Sequence, residues 1–124
     1  TNQPDVGDGL VEKKIVEKMH KKLKNLLPIE EIFVCYHSKN NYCDCRKPKT
    51  GLLKQIEQNL QVNLKDKYFI GDKESDIIAG KDHGCIPLLI QTGGYGEKVL
   101  NSKHCPPPKH CFDNLLEASD FIIK

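Results

Sequence analysis

The chain has 124 residues, a formal net charge of +2 at pH 7 and 29% charged residues. A chain of this length is expected to form one domain, which we place at residues 1–124. The nearly balanced charge leaves no basic surface of the kind that binds nucleic acid. No apolar run in the sequence is long enough to span a membrane. We therefore expect neither nucleic acid nor a membrane as a partner.

Apolar periodicity predicts that helices and strands alternate along the chain. In chain order, the predicted elements are a helix at 11–26, a strand at 32–34, a helix at 52–60 capped by Thr50, a strand at 68–70, a helix at 74–83, a strand at 86–91, a turn at 93–96, an irregular segment at 101–109, a helix at 113–119 and a strand at 121–123. Pro87 favours an early or edge position in its strand. The alternation predicts an α/β fold, a Rossmann-like doubly wound parallel sheet with ligands beyond the carboxyl ends of its strands.

Four soft metal ligands lie within eleven residues of one polar loop, at Cys35, His37, Cys43 and Cys45. The spacing C-x-H-x5-C-x-C is typical of a tetrahedral zinc site. All four positions are filled by the protein, which indicates a structural rather than a catalytic metal. Metal ligation by cysteines also favours a reducing compartment, and we expect the cytoplasm.

The remaining cysteines give weaker signals. Cys85 is expected to pack as a small buried side chain. Two His-Cys pairs, 104–105 and 110–111, flank a run of three prolines. Adjacent ligands chelate poorly, so a second metal site is the less favoured interpretation, and the roles of Cys105 and Cys111 stay open.

Fixed cations follow the metal ligands directly, and residues 35–49 therefore form one predicted zinc loop and phosphate-binding motif. Arg46 is the only arginine in a chain with 19 basic residues, and Lys47 and Lys49 follow it. A guanidinium matches phosphate oxygens with a rigid fork of donors, which lysine lacks. We expect the metal loop to position these cations.

A second motif, the acidic sequence GDKESD at 71–76, follows the predicted strand at 68–70. A carboxylate at that strand end, Asp72, can reach a bound cation, and carboxylates beside phosphate-binding groups suit Mg²⁺. Asp76 lies in the first turn of the next helix. Its carboxylate either supports the site or only complements the helix dipole.

Three motifs taken together, TNQ at 1–3, CYH…CDCRKPK at 35–49 and GDKESD at 71–76, resemble one family. The chain is similar to the zinc-loop branch of the haloacid-dehalogenase (HAD) phosphatases, which includes D,D-heptose-1,7-bisphosphate phosphatases and histidinol-phosphate phosphatases. The resemblance covers residues 1–96 and continues more loosely to the end. It implies an HAD-like fold, a catalytic Mg²⁺, a structural Zn²⁺ and phosphoryl transfer to an aspartate nucleophile.

The resemblance also implies roles for individual residues. Thr1 matches a hydroxyl that bonds the transferring phosphoryl group, and Asn2 matches its substrate-contacting neighbour. Arg46 and Lys47 match the cations that bind the phosphate, with Lys47 also catalytic. Asp72 matches the Mg²⁺ ligand, with Lys73 and Asp76 as supporting residues. The four zinc ligands match Cys35, His37, Cys43 and Cys45.

One departure from the family pattern is serious. The family's nucleophile belongs to an Asp-x-Asp motif upstream of the TNQ segment, and this chain has no such motif. We expect the chain to be the carboxyl-terminal part of a phosphatase, inactive alone and lacking N-terminal strands. A missing N-terminal segment or a second copy would then complete the sheet, between the strands at 32–34 and 68–70. An inactive remnant is the alternative.

The predicted function is a Mg²⁺-dependent phosphatase of a small phosphorylated metabolite, acting through an aspartyl-phosphate. The sequence does not choose between a sugar bisphosphate and histidinol phosphate. A non-catalytic, zinc-stabilised phosphate-binding or regulatory module is the alternative from another class. A small zinc-binding interaction domain is a third, and the joint presence of Arg46, Lys47 and Asp72 argues against it.

Overall fold

The computed structural model describes all residues, 1–124, and its centre is a parallel sheet of three strands. The strands are β1 (Tyr68–Gly71), β2 (Ile86–Ile90) and β3 (His110–Phe112), in the order β1-β2-β3. Tyr68 is opposite Ile86 in the first pair, and Leu88 is opposite His110 in the second. The predicted α/β class with a parallel sheet is confirmed.

Six helices surround this sheet and the segments that precede it. Their bounds are α1 (Pro4–Gly7), α2 (Lys13–Leu26), α3 (Gly51–Leu60), α4 (Glu74–Asp82), α5 (Gly96–Leu100) and α6 (Leu115–Ile123). Helix α4 connects β1 to β2 and packs against both strands, as expected for a parallel crossover. No helix is both long and apolar enough to cross a membrane.

The core is small and divided into two clusters. One lies on the sheet, where Ile77 of α4, Leu89 of β2 and Val99 of α5 pack together. The other lies under the metal-ligand loop, where Cys35 and Cys43 pack with Leu52 of α3. Only 17 of the 124 residues are buried, so neither cluster makes a large core. Cys85 is 7% exposed, which confirms its predicted burial.

Two predicted strands are absent from the structure, and one observed strand was not predicted. Residues 32–34 form no strand, and the only pairing there is an isolated parallel bridge between Asn2 and Cys35. Residues 121–123 belong to helix α6, which begins where the Asn114 side chain accepts a hydrogen bond from the Glu117 N–H. The third strand is instead His110–Phe112, directly after the proline run.

Smaller differences concern caps and short helices. Pro87 lies early in its strand as predicted, but β2 is the central strand and not an edge. Thr50 precedes α3 without a side-chain capping bond. Helices α1 and α5 have four and five residues, too few to give a periodic pattern.

An apolar groove separates the N-terminal bridge from the free edge of β1. Its volume is about 320 Å³. Residues from both sides line it, together with α3: Thr1, Glu31, Ile32, Phe33, Lys47, Leu52, Leu53, Ile56, Phe69 and Ile70. The expected separation between the segment around 32–34 and the strand at 68–71 is therefore present as an open groove.

Candidate functional site

The four predicted metal ligands converge in space. Their ligand atoms all lie within 4.8 Å of one another. The Cys35 and Cys43 sulfurs are 3.8 Å apart, and His37 Nδ1 lies 3.5 Å from Cys35 Sγ and 3.2 Å from Cys45 Sγ. This is the only group of three or more His, Cys, Asp or Glu side chains so gathered, and the pairs at 104–105 and 110–111 form no cluster.

The donor set fits a tetrahedral metal ion. Metal–sulfur bonds of about 2.3 Å place two sulfurs ~3.8 Å apart across a tetrahedron, which matches the observed separation of Cys35 and Cys43. Burial, with smaller effects of Cys35 and Cys43, raises the pKa of the Cys45 thiol to about 12. Burial also acts to raise the pKa of Cys43, but hydrogen bonds, the strongest from the Arg46 backbone, outweigh it and lower that pKa. A bound cation would stabilise thiolates that burial disfavours.

Close backbone contact holds the loop that carries these ligands. A Cβ atom on Gly7 would lie 2.1 Å from the Ser38 backbone nitrogen, so only glycine permits this approach. The buried Ser38 hydroxyl donates to the Asp8 carboxylate and accepts from the Asn40 N–H. The turn after α1 therefore anchors the loop immediately beyond His37.

A polar cavity of about 560 Å³ opens beside the metal-ligand loop. It has no hydrophobic residue in its wall, and it is lined by Asn2, Gln3, Pro4, Asp5, Lys39, Arg46, Lys47, Lys73 and Ser75. Four of these side chains are cationic and one is anionic, which makes the cavity suited to an anion. The Arg46 guanidinium donates to the carbonyls of Ser38 and of Lys39, the second at 2.8 Å.

Lys47 is fixed at both its backbone and its side chain. The Asn2 carboxamide accepts from the Lys47 N–H at 3.1 Å and donates to the Lys47 carbonyl at 3.3 Å. The Lys47 ammonium makes an ion pair with Asp76, whose side chain is 7% exposed. The other Asp76 oxygen accepts from the Lys73 N–H at 3.1 Å, so Asp76 both caps α4 and pairs with Lys47. Asp76 thus contacts the start of α4 and Lys47 at once, and its supporting role at the site stays a prediction.

Asp72 follows β1 directly, as predicted, and its carboxylate packs against the turn at 93–96. A Cβ atom on Gly93 would lie 1.9 Å from Asp72 Oδ2. Gly71 is equally confined, because a Cβ there would lie 2.2 Å from the Asp76 Cβ. Gly71 therefore lets the Asp76 side chain, and Gly93 the Asp72 side chain, approach the backbone closely. Asp72 does not line the polar cavity.

The structure gathers most of the predicted site residues. Asn2, Arg46, Lys47 and Lys73 share the polar cavity, whereas Thr1 lines the apolar groove and shares that wall with Lys47. The Asn2 side chain is bonded to the Lys47 backbone, so it positions the lysine besides lining the cavity. Five wall residues were not singled out from the sequence: Gln3, Pro4, Asp5, Lys39 and Ser75. Their one available signal was a position within or next to the three motifs.

Comparison with known proteins gives a consistent picture. The HAD-hydrolase-like family model matches residues 44–118. A D-glycero-beta-D-manno-heptose-1,7-bisphosphate 7-phosphatase of Pseudomonas aeruginosa is 33% identical over 129 residues, covering 100% of the chain and 71% of the relative. The enzyme of the same name from Pseudomonas putida is 35% identical, covering 99% and 72%. The histidine biosynthesis bifunctional protein HisB of Campylobacter jejuni is 33% identical over 68% of the chain and 25% of its own length.

The comparison with solved structures agrees with the sequence comparison on the family of the similar proteins. The D,D-heptose 1,7-bisphosphate phosphatase of B. bronchiseptica, complexed with magnesium and phosphate, superposes with a TM-score of 0.89 at 29% identity. That match covers 99% of the chain and 71% of the other protein. A putative HAD-like phosphatase of Mesorhizobium loti gives a TM-score of 0.70 at 20% identity, covering 99% and 62%, which supports the fold alone.

Proposed function

This chain belongs to the HAD-like hydrolase family, and on that premise we propose that it supplies the phosphate- and metal-binding residues of a Mg²⁺-dependent phosphatase. The observation that carries the proposal is the polar cavity, whose wall contains four cationic residues: Lys39, Arg46, Lys47 and Lys73. Fixed cations around a transferring phosphoryl group stabilise the charge of its transition state. The two Pseudomonas relatives of the chain are named as phosphatases.

A sugar bisphosphate is the substrate class we favour over histidinol phosphate. The cavity wall has no hydrophobic residue against which an imidazole ring would stack, and four cations against one carboxylate suit a ligand with more than one anionic group. Hydroxyl groups of a sugar would meet the amide and carboxylate side chains of Gln3 and Asp5. The names of the two Pseudomonas relatives support this choice, and that of HisB supports the other.

Within this proposal each residue has a distinct task. Lys47 binds the phosphoryl group from a position fixed by Asn2 and Asp76. Thr1 contributes a hydroxyl to the same group. Asp72 holds Mg²⁺, which would offset charge on the phosphoryl oxygens when bound. The nucleophilic aspartate that forms the aspartyl-phosphate is assigned to a segment ahead of Thr1.

The Cys/His cluster has a structural task in the same proposal. Three thiolates and one imidazole fill a tetrahedral shell and leave no position for a reactive water, so the bound ion is Zn²⁺ in a closed site. The cluster lies next to Arg46 in the chain and packs on Leu52 of α3. It would therefore stabilise the wall of the polar cavity rather than take part in the reaction.

Phosphate release tests this function. A polypeptide in which an Asp-x-Asp segment precedes Thr1 is expected to hydrolyse heptose 1,7-bisphosphate faster than histidinol phosphate, in a Mg²⁺-dependent reaction.

Asp72→Asn should lower turnover by about a hundredfold, a loss of ~3 kcal/mol, because it removes a metal ligand. Arg46→Ala should act mainly through substrate binding. The control Asp82→Asn changes a carboxylate at the far end of α4 and should be neutral.

The outcomes separate the proposal from its alternative. Residues 1–124 alone should bind inorganic phosphate without hydrolysing a phosphomonoester, and turnover by this chain would contradict the assignment of the nucleophile. Phosphate binding with no turnover by the longer polypeptide would instead favour a non-catalytic binding or regulatory module.

A further inference from the structure

Two cations that are neighbours in sequence are held by different parts of the molecule. The Lys47 backbone pairs with Asn2, and its ammonium pairs with Asp76 at the start of α4. Neither partner is a metal ligand, and the bridge that holds Asn2 uses only the backbone of the ligand Cys35, not its sulfur. The position of Lys47 therefore depends on the bridge at residues 1–3 and on the sheet.

Arg46 is held by the metal-ligand loop itself. Its two terminal nitrogens donate to the carbonyls of Ser38 and Lys39, the first and second residues after the ligand His37. A guanidinium bound to two carbonyls in this way has further N–H groups available for a ligand in the cavity, whose wall it forms. Its orientation is set by the path of the chain between His37 and Cys43.

Besides the ligands, that path is supported at its start, where Gly7 lies in close contact with the Ser38 backbone. Residues 36–42 contain no helix or strand. Ser38 is tied to Asp8, and the segment from Asn40 to Tyr42 is exposed. The convergence of His37 and Cys43 on one point is thus a principal constraint on the carbonyls that orient Arg46.

We propose that Arg46 couples the Cys/His site to the polar cavity, so that metal occupancy raises the affinity of the cavity for an anion, whereas Lys47 binds the anion independently of that metal. This inference rests on the proposed function, because it takes the cluster to bind zinc and the cavity to bind phosphate. Coupling between two sites is reciprocal, so phosphate must tighten zinc binding by the same factor. Arg46 is then a substrate-binding residue whose orientation the metal regulates.

The single arginine of the chain allows a direct test by nuclear magnetic resonance. The one arginine Nε–H signal reports Arg46 without any substitution. In the zinc-loaded chain this signal should show a high heteronuclear NOE and should shift when inorganic phosphate is added. After zinc is removed with a chelator the NOE should fall, while the backbone signals of β1, β2 and β3 stay in place as a control for folding. An NOE that stays high without zinc would overturn the proposal.

Phosphate titrations of two variants complete the test. The wild-type chain should bind phosphate about fivefold or more tightly with zinc than without it. Arg46→Lys keeps the charge but not the forked geometry, so this ratio should fall to about one. Lys47→Met should weaken phosphate binding in both states and leave the ratio unchanged.

The results distinguish this inference from the proposed function. Phosphate binding with no dependence on zinc, or a ratio retained in Arg46→Lys, would overturn the coupling and leave the phosphate site standing. Absence of phosphate binding in both metal states would count against the site and the coupling together.

Discussion

At the scale of single residues, the Cys/His cluster shows that a short sequence motif can define a metal site in a loop that has no regular secondary structure. Three sulfurs and one ring nitrogen converge although the loop between them has no regular structure. Hydrogen bonds among free thiols are weak, so the geometry is best satisfied by a cation that all four ligands share.

Metal content is the first prediction at this scale. We expect one tightly bound zinc ion per chain, measured by elemental analysis of protein purified in metal-free buffer. Cys43→Ser should weaken zinc binding by more than about a hundredfold, because losing a direct ligand costs more than losing an outer hydrogen bond. Cys111→Ser is the matched control, since Cys111 is exposed and outside the cluster. Protein without zinc, or equal losses in both variants, would refute the assignment.

Gly93 gives a second prediction at residue scale. An alanine Cβ at this position would lie 1.9 Å from Asp72 Oδ2, so Gly93→Ala must displace the carboxylate or the turn. We expect a loss of stability of about 1–3 kcal/mol, as for other overpacked sites, together with weaker Mg²⁺ binding. Thermal unfolding and a Mg²⁺ titration measure the two effects.

The control for Gly93 is Gly96→Ala, whose new Cβ would meet mainly the flexible side chain of Gln91. It should change both quantities much less. Unchanged Mg²⁺ binding in a folded Gly93→Ala variant would show that the packing of Asp72 on this turn does not matter for the metal.

At the scale of elements, the sequence predicts those whose pattern is local. The helix at 11–26 corresponds to Lys13–Leu26, and the strands at 68–70 and 86–91 correspond to β1 and β2. Helix α2 has apolar residues at helical spacing and ends just before Pro28, and the two strands are short apolar runs, the first of them followed by Asp72. The motifs predict which side chains form the site, among them the four ligands, Asn2, Lys47 and Asp72. They do not predict which contacts those side chains make.

The elements that were mispredicted depend on tertiary context. Residues 121–123 are apolar and short, and such a run suits a strand or the last turn of a helix equally well. Helix α6 begins at the Asn114 cap and continues through them to Ile123. Strand β3 has only three residues and exists because His110–Phe112 pairs with β2. The segment at 32–34 has a strand-like sequence but no neighbouring strand with which to pair.

A contact between elements gives the third prediction. Glu57 of α3 accepts from the Leu64 N–H at 2.9 Å and lies 3.2 Å from His83 Nε2, which links α3, the following loop and the end of α4. The Leu64 hydrogen bond, with a contribution from His83, lowers the pKa of Glu57. A lowered folded-state pKa stabilises the fold above the ordinary carboxyl value and loses this effect as pH falls through the folded value.

Glu57→Gln should therefore lower the melting temperature near neutral pH, and the difference from the wild type should vanish as the pH falls below the lowered folded-state pKa of Glu57. Melting curves at several pH values measure this. Glu30→Gln, at an exposed position on the same chain, should give no such pH-dependent difference. A constant difference at every pH would mean that the charge of Glu57 does not contribute.

At the scale of the whole molecule, two apolar surfaces lack partners. The groove beside β1 is lined mostly by apolar side chains. Helix α2 buries only Val16, while Ile15, Met19, Leu23 and Leu26 are 42–68% exposed along one stripe. Surfaces of this kind are uncommon on folded monomers and indicate that something covers them. The free edge of β1 also leaves backbone groups without sheet partners.

The last prediction follows from the groove, which lies between the bridge at Asn2 and Cys35 and the edge strand β1. We expect residues 1–124 alone to fold but to melt at a lower temperature than the completed sheet, or to self-associate as the concentration rises, because the apolar walls and the strand edge stay open to water. Supplying a strand from a further polypeptide segment, or from a second copy, should raise the melting temperature and slow amide exchange in β1. Sedimentation equilibrium separates the two sources, since only the second copy depends on concentration. A stable monomer with slow exchange along both edges of β1, or an experimental structure in which residues 33–35 pair directly with β1, would contradict this expectation.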